Sequence, residues 1–169
     1  MIEFRPLAES DLPLLEDWLR REHVRRWWRD PVEEALAEYR AAIEGRDPTD
    51  HFLIVLDGRP VGMTQTYLAS DYPEWEEIVQ VGKGVAGVDL LIGEVELTGT
   101  GLGPRVLTEF AREIIFADSE TRACIATVEE ANRRSWRAFE KAGFRHVRDV
   151  EEEGLPHRLL WLDRPGRTV

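Results

Sequence analysis

The sequence predicts a mixed α/β fold of the α+β kind, a largely antiparallel central sheet flanked by helices. Three observations lead there. Short apolar runs alternate with amphipathic stretches in the order β-α-α-β-β-β-α-β-α-β-β. Two turn pairs, Asp57-Gly58 and Glu153-Gly154, each separate two strand-like runs, as hairpin turns do. No repeat, low-complexity segment or linker interrupts the pattern, so residues 1–169 read as a single domain.

Each element has a local reason. Ile2–Leu7 reads as a short first strand. Ser10–Arg21 opens on a capping residue, has Pro13 in its first turn, and repeats apolar residues at Leu12, Leu15, Trp18 and Leu19, which is an amphipathic helix. Val24–Pro31 breaks it, and Pro31–Gly45 is a second helix with Pro at its start and Gly at its end. His51–Ala69 reads as a hairpin, followed by an acidic, aromatic loop at Ser70–Glu77 and a strand at Lys83–Gly93. Pro104–Ala117 carries apolar residues at helical spacing, Thr121–Val128 is a buried strand, and Asn132–Phe144 is a helix stopped by Gly143. Arg145–Leu162 closes the chain as a hairpin.

Composition narrows the function. With 43% apolar residues and six tryptophans, the 169-residue chain is of globular type rather than disordered. No run approaches the roughly 18 apolar residues of a membrane span, and the N-terminus lacks the regions of a signal peptide. The single cysteine, Cys124, permits no intrachain disulfide, so the expected location is cytoplasmic. Cys124 reads as a buried strand residue or, alternatively, a nucleophile. A net charge of −11 argues against nucleic acid as a partner. It favours a cationic small molecule, or is simply a solvated acidic surface. His23, His51, His146 and His157 are scattered without ligand spacing, so no metal is expected.

The stretch Val95–Leu107, VELTGTGLGPRVL, places Gly99, Gly101 and Gly103 just ahead of a helix. Glycines there permit positive φ and close approach of a ligand, and the first helical N–H groups attract an anion such as phosphate. The spacing matches neither the dinucleotide fingerprint nor the P-loop. With its flanks, the stretch resembles the acetyl-CoA pyrophosphate loop of the GNAT acetyltransferase superfamily. Gly101 and Gly103 fit its glycine positions. NRRSWRAFEKAGF (Asn132–Phe144) is similar to its second signature. Gly87–Gly103, together with His23–Trp28 and Tyr72–Glu77, most resembles the aminoglycoside 6′-N-acetyltransferases within it.

The resemblance implies acetyl-CoA as co-substrate and direct transfer to a primary amine, with the chain acting as monomer or homodimer. It places Thr98, Gly99, Thr100, Gly101, Leu102 and Gly103 at the pyrophosphate, Leu91 and Ile92 along the pantetheine arm, and Asn132, Ser135 and Phe139 on its other side. A backbone N–H, that of Leu90, would face the thioester oxygen. Asp89 interrupts the apolar run VDLLI, where a carboxylate must be paired or face a cleft. The resemblance makes it a substrate contact and a candidate base. An isolated Asp titrates near ~3.9 and an alkylammonium near ~10, so Asp89 is suited to hold and orient the ammonium while its proton leaves through water. Trp27, Trp28, Tyr67, Asp71, Glu74, Trp75, Glu76, Glu77 and Glu129 are the further candidate substrate contacts. Aromatic faces suit a sugar ring and carboxylates its ammonium groups.

Three departures stand out. Thr98 replaces the usual Gln or Arg. Phe139 replaces a Tyr that serves as acid toward the departing thiolate. Thr127 replaces an Asp, with Glu129 or Glu130 as a candidate substitute or a solvated loop charge. Two other readings stay open: LLIGEVE (Leu90–Glu96) also resembles acyltransferases that modify hydroxylysine during siderophore synthesis, which would need a long apolar acyl channel, and Phe139 and Thr98 fit a non-catalytic domain that binds CoA or a protein partner.

Overall fold

The computed structural model describes residues 1–166. Seven strands are hydrogen-bonded in the order β1-β2-β3-β4-β5-β7-β6: β1 (Ile2–Pro6), β2 (Asp50–Leu56), β3 (Arg59–Leu68), β4 (Val85–Ile92), β5 (Ala123–Glu129), β6 (Arg145–Glu152) and β7 (Leu155–Asp163). The pairs β1/β2, β5/β7 and β6/β7 are antiparallel. The pair β4/β5 is parallel, in register only over Val85–Gly87 with Ala123–Ile125. Both expected turn pairs take positive φ at their two central residues, as a tight hairpin turn requires.

The chain divides into two compact units. The first comprises Met1–Gln65 with Leu90–Thr98. Its core gathers Leu12, Leu15, Trp18 and Leu19 from α1 (Leu12–Arg20), Val24 from the short α2 (Glu22–Arg25), and Val32, Ala35 and Tyr39 from α3 (Val32–Ile43) onto Leu53, Met63 and Leu91 of the strands. Leu15, Trp18, Leu53 and Met63 are fully buried, and each such side chain contributes roughly 1.5–3 kcal/mol of transfer free energy. The second unit comprises Thr66–Asp89 and the chain from Gly99 onward. Val79, Val81, Val85, Ala123, Ile125 and Leu159 form one of its cores, with Trp75 and Trp161 packed at its side.

Three elements differ from the expectation. The short helix α2 (Glu22–Arg25) runs into the stretch Val24–Pro31, which reads as a break, so three helices and not two precede the first hairpin. The stretch Ser70–Glu77, read as a loop, holds a 3₁₀ turn at Ala69–Asp71 and the helix α4 (Pro73–Val79). Pro73 occupies the first turn, where no N–H is needed, and Glu74 and Glu76 sit at the positive end of the dipole. Trp75 and Val79, four apart, face the core, and Gln80 ends the helix in left-handed conformation. The helix after the glycines, α5 (Leu102–Glu113), begins two residues before Pro104 and passes into a 3₁₀ turn at Ile115–Ala117. The last helix, α6 (Arg133–Lys141), lies inside the expected range.

His51 is a buried polar residue of the first unit, edge-on to Tyr39 at 4.8 Å between ring centres. Burial pushes its imidazolium down to about 4, against the opposing pull of Asp47. The folded value lies below the unfolded one, so His51 opposes folding only in acid. Above the unfolded value near 6.5 it is neutral in both states. As pH falls from there toward 4, the unfolded chain takes up a proton that the folded chain refuses. Up to ~3 kcal/mol of stability is lost over this window. Urea melts at pH 7 and pH 5 check this: the wild type loses more stability than His51→Phe, whereas equal losses would remove His51 as the cause.

Candidate active site

The strand β4 leads into the site. Beyond Gly87 its register with β5 ends, so Val88 and Asp89 stand where the two parallel strands no longer share hydrogen bonds. Asp89 is half-buried, and the Tyr67 hydroxyl donates to its Oδ2 at 3.0 Å. Burial pushes the Tyr67 phenol well above the usual phenol range, and the charges of Asp89 and Glu152 add to the effect. Tyr67 is therefore a neutral donor that orients Asp89 at every physiological pH.

Tyr67 is itself boxed. Tyr72 and Trp75 meet it edge-on at 5.4 and 5.3 Å between ring centres. Trp75 in turn donates its indole N–H to Glu152 Oε1 at 2.7 Å. Gly87 makes room for both rings: a Cβ there would lie 2.6 Å from Tyr67 Cε2 and 3.0 Å from Trp75 Cη2. Thr66 Oγ1 donates to the Gly87 carbonyl at 2.8 Å, holding this turn of the strand in place.

In the glycine stretch, Gly99 and Gly101 both adopt left-handed φ, +73° and +89°. No side chain caps α5, whose N-cap is Gly101. Its first N–H groups therefore point outward at the positive end of the helix, with Leu102 turned into the core and Gly103 in the first turn. The Arg134 side chain of α6 lies alongside: a Cβ on Gly99 would stand 3.8 Å from its guanidinium carbon. Bare backbone, a helix N-terminus and a guanidinium fit a diphosphate. Arg134 is a residue that sequence reasoning passed over. Thr98, at the position of the usual Gln or Arg, spends its hydroxyl on the Val95 carbonyl at 2.6 Å.

The other expected residues fall into distinct places. Leu91 is buried in the first core, so only its backbone is available, while Leu90 is half-buried. The Ile92 carbonyl accepts from His23 Nε2 at 3.0 Å. Trp28 packs against the first core, and Trp27 carries the Arg29 guanidinium 5.8 Å from its ring centre. Asp71, Glu74 and Glu77 are exposed, whereas Glu76 accepts from the Gly82 N–H at 2.7 Å and so braces the loop after α4. Asn132 stands at the N-cap of α6 without capping it through its side chain, and Ser135 follows half-buried. Phe139 packs edge-on against Phe144 at 5.1 Å and has no proton to give a thiolate. Glu129 ends β5 opposite His157 of β7. Cys124 is fully buried in β5, and burial pushes its thiol far above the usual range, so it supplies no thiolate nucleophile.

Chemically, an oriented carboxylate can hold an amine, and a loop of bare backbone at a helix N-terminus can hold a diphosphate carrier. This combination defines an acyltransferase that moves a carrier-bound acyl group to an amine.

The comparisons with known proteins agree. Residues 8–152 match the family model of the acetyltransferase (GNAT) domain. The aminoglycoside N(6′)-acetyltransferase type 1 of Klebsiella pneumoniae is 29% identical over 150 residues, 85% of this chain and 73% of that protein. A crystal structure of the aminoglycoside acetyltransferase AAC(6′)-Ib with coenzyme A and kanamycin superposes with a TM-score of 0.86 at 29% identity, covering 97% of this chain and 95% of that one. The structure of AAC(6′)-Ib with ribostamycin and coenzyme A gives 0.87 at 27%, covering 99% and 98%. The chain belongs to the GNAT acetyltransferase family and is an acetyl-CoA-dependent N-acetyltransferase. Among the described residues, no helix is long and apolar enough to cross a membrane.

Proposed function

We propose that this enzyme acetylates the 6′-amine of an aminoglycoside by direct transfer from acetyl-CoA, as a single catalytic domain in the cytoplasm. The observation that carries the reading is the half-buried Asp89, oriented by Tyr67 inside an aromatic box. The relatives' names and bound ligands support the substrate class.

Gly99–Gly103 and the first turn of α5 hold the pyrophosphate, with Arg134 as its counter-charge. Asn132 binds the pantetheine arm, and the Leu90 N–H meets the thioester oxygen as negative charge builds there. Asp89 binds the ammonium of the substrate. A carboxylate raises the pKa of an amine it contacts, so its contribution is position, and the proton leaves through water. The freed amine nitrogen then attacks the thioester carbon. The C–N bond forms, the C–S bond breaks, the nitrogen loses a second proton, and CoA departs as thiolate. A thiol with pKa near ~8.5 leaves adequately without an acid, which accommodates Phe139.

A thiol-release assay tests the reading. Purified protein with acetyl-CoA turns over kanamycin-type compounds bearing a 6′-amine and not those bearing a 6′-hydroxyl. Turnover confined to hydroxylysine would replace the substrate, and acetyl-CoA binding without turnover of any amine would remove the catalytic reading.

A further inference from the structure

Three side chains from the junction of α1 and α2 close on the chain where it leaves β4. Trp18 lies so close over Gly93 that no Cβ fits there, and its Nε1 donates to Glu94 Oε1 at 3.4 Å. Arg21 donates through one amino group to the Gly93 carbonyl at 2.9 Å and to Glu94 Oε2 at 3.0 Å, while its other amino group donates to Asp17 at 2.7 Å. His23 reaches one residue further back, into the strand itself, where Nε2 donates to the Ile92 carbonyl at 3.0 Å. A carbonyl only accepts, so Nε2 carries a hydrogen, which both the neutral and the protonated ring allow.

The Gly93 N–H donates to the Val61 carbonyl of β3 at 2.8 Å. Along an extended strand, successive residues turn their N–H groups to opposite edges. Leu91 thus faces β3 as Gly93 does, and Leu90 and Ile92 present their N–H groups on the other edge, past the last β4 residue in register with β5. A neighbouring strand would take the N–H and the C=O of Ile92 together. His23 takes the C=O alone and leaves the N–H to an acceptor on a ligand. The Leu90 and Ile92 N–H groups stand about 7 Å apart along the strand. In acetyl-CoA the thioester carbonyl and the first amide carbonyl of the pantetheine arm are separated by one sulfur, two carbons and one nitrogen, which is a matching span.

We infer that Arg21 and His23 are positioning residues for acetyl transfer: they hold the Gly93 and Ile92 carbonyls so that the open edge of β4 keeps the Leu90 and Ile92 N–H groups aimed at the two carbonyls of the arm. The inference rests on the proposed placement of the thioester at Leu90, and not on which amine is the substrate.

The test compares wild type, Arg21→Met, Arg21→Lys, His23→Ala and His23→Gln. Lysine can still reach the Gly93 carbonyl and Glu94 with one ammonium, and glutamine keeps a donor for the Ile92 carbonyl. The kcat per CoA-binding site, counted by calorimetric titration, falls about tenfold in Arg21→Met, the loss of a charge-assisted contact. It falls about fivefold in His23→Ala, which leaves one backbone acceptor unpaired and serves if the methionine variant fails to fold. KM for the amine moves less than about twofold in both. The lysine and glutamine variants recover most of the loss. The second readout is the infrared difference spectrum of bound acetyl-CoA, labelled at the acetyl carbonyl, with no amine present. In wild type the thioester band lies below that of free acetyl-CoA, and in Arg21→Met and His23→Ala it moves back toward the free position. An unmoved band, or a fall in kcat that only follows the loss of CoA-binding sites, overturns the inference and leaves the proposed function standing. A wild-type band at the position of free acetyl-CoA overturns the placement at Leu90 and the inference with it.

Discussion

Asp89→Asn lowers kcat/KM for a 6′-amino aminoglycoside by about 10²–10³-fold, the combined cost of a lost charge-assisted contact to the ammonium and of the misplaced amine that follows. Asparagine is nearly isosteric and can still accept the Tyr67 hydrogen bond, so the box around Tyr67 is preserved. The negative charge is what disappears, and with it the attraction that places the ammonium. The affinity for acetyl-CoA is expected to stay within twofold, because the proposed cofactor contacts in the glycine loop and the first turn of α5 do not include this side chain. Steady-state kinetics with calorimetric titration of acetyl-CoA separates the two effects. A loss below tenfold would remove Asp89 from the centre of the mechanism, and a parallel loss of acetyl-CoA affinity would point to damage of the whole site.

Gly87→Ala is expected to damage stability and activity together. The new methyl would meet Tyr67 Cε2 at 2.6 Å, Tyr67 Cζ at 2.8 Å and Trp75 Cη2 at 3.0 Å. Neither ring is free to yield, since Tyr67 is bonded to Asp89 and Trp75 to Glu152. Overpacking of this kind costs about 1–3 kcal/mol, or a fall in Tm of roughly 2–10 °C for a chain of this size. To relieve it, Tyr67 must swing away from Asp89, and kcat/KM falls at least tenfold beyond any loss of folded enzyme. Thermal melting and kinetics at a temperature well below the melt check both halves. A variant with normal Tm and normal activity would show that the rings rearrange freely and that Tyr67 does not position Asp89.

The strand and helix order was legible because each element carries its own local chemistry. Asp57-Gly58 and Glu153-Gly154 turn the chain wherever two apolar runs flank them, and the glycines before α5 announce left-handed backbone whatever surrounds them. Asp89 was legible as a carboxylate that an apolar strand cannot bury unpaired. The helix α4 was missed, although Pro73 and the spacing of Trp75 and Val79 were there to be read, because its acidic, aromatic surface resembles a solvated loop.

Glu152 was not legible at all. The register of β6 shifts between His146 and Arg148, which resets the side-chain alternation, so counting along the strand does not say which of Glu151, Glu152 and Glu153 turns toward Trp75. Arg134 beside Gly99 and Gly87 beneath two rings are hidden for a related reason. Turns, caps and amphipathic faces depend on residues a few positions apart, and the sequence states them directly. The pairing of Trp75 with Glu152 joins residues 77 positions apart. Such a contact exists only after the strands have taken their register and the helices have packed, and those events set the geometry of the site.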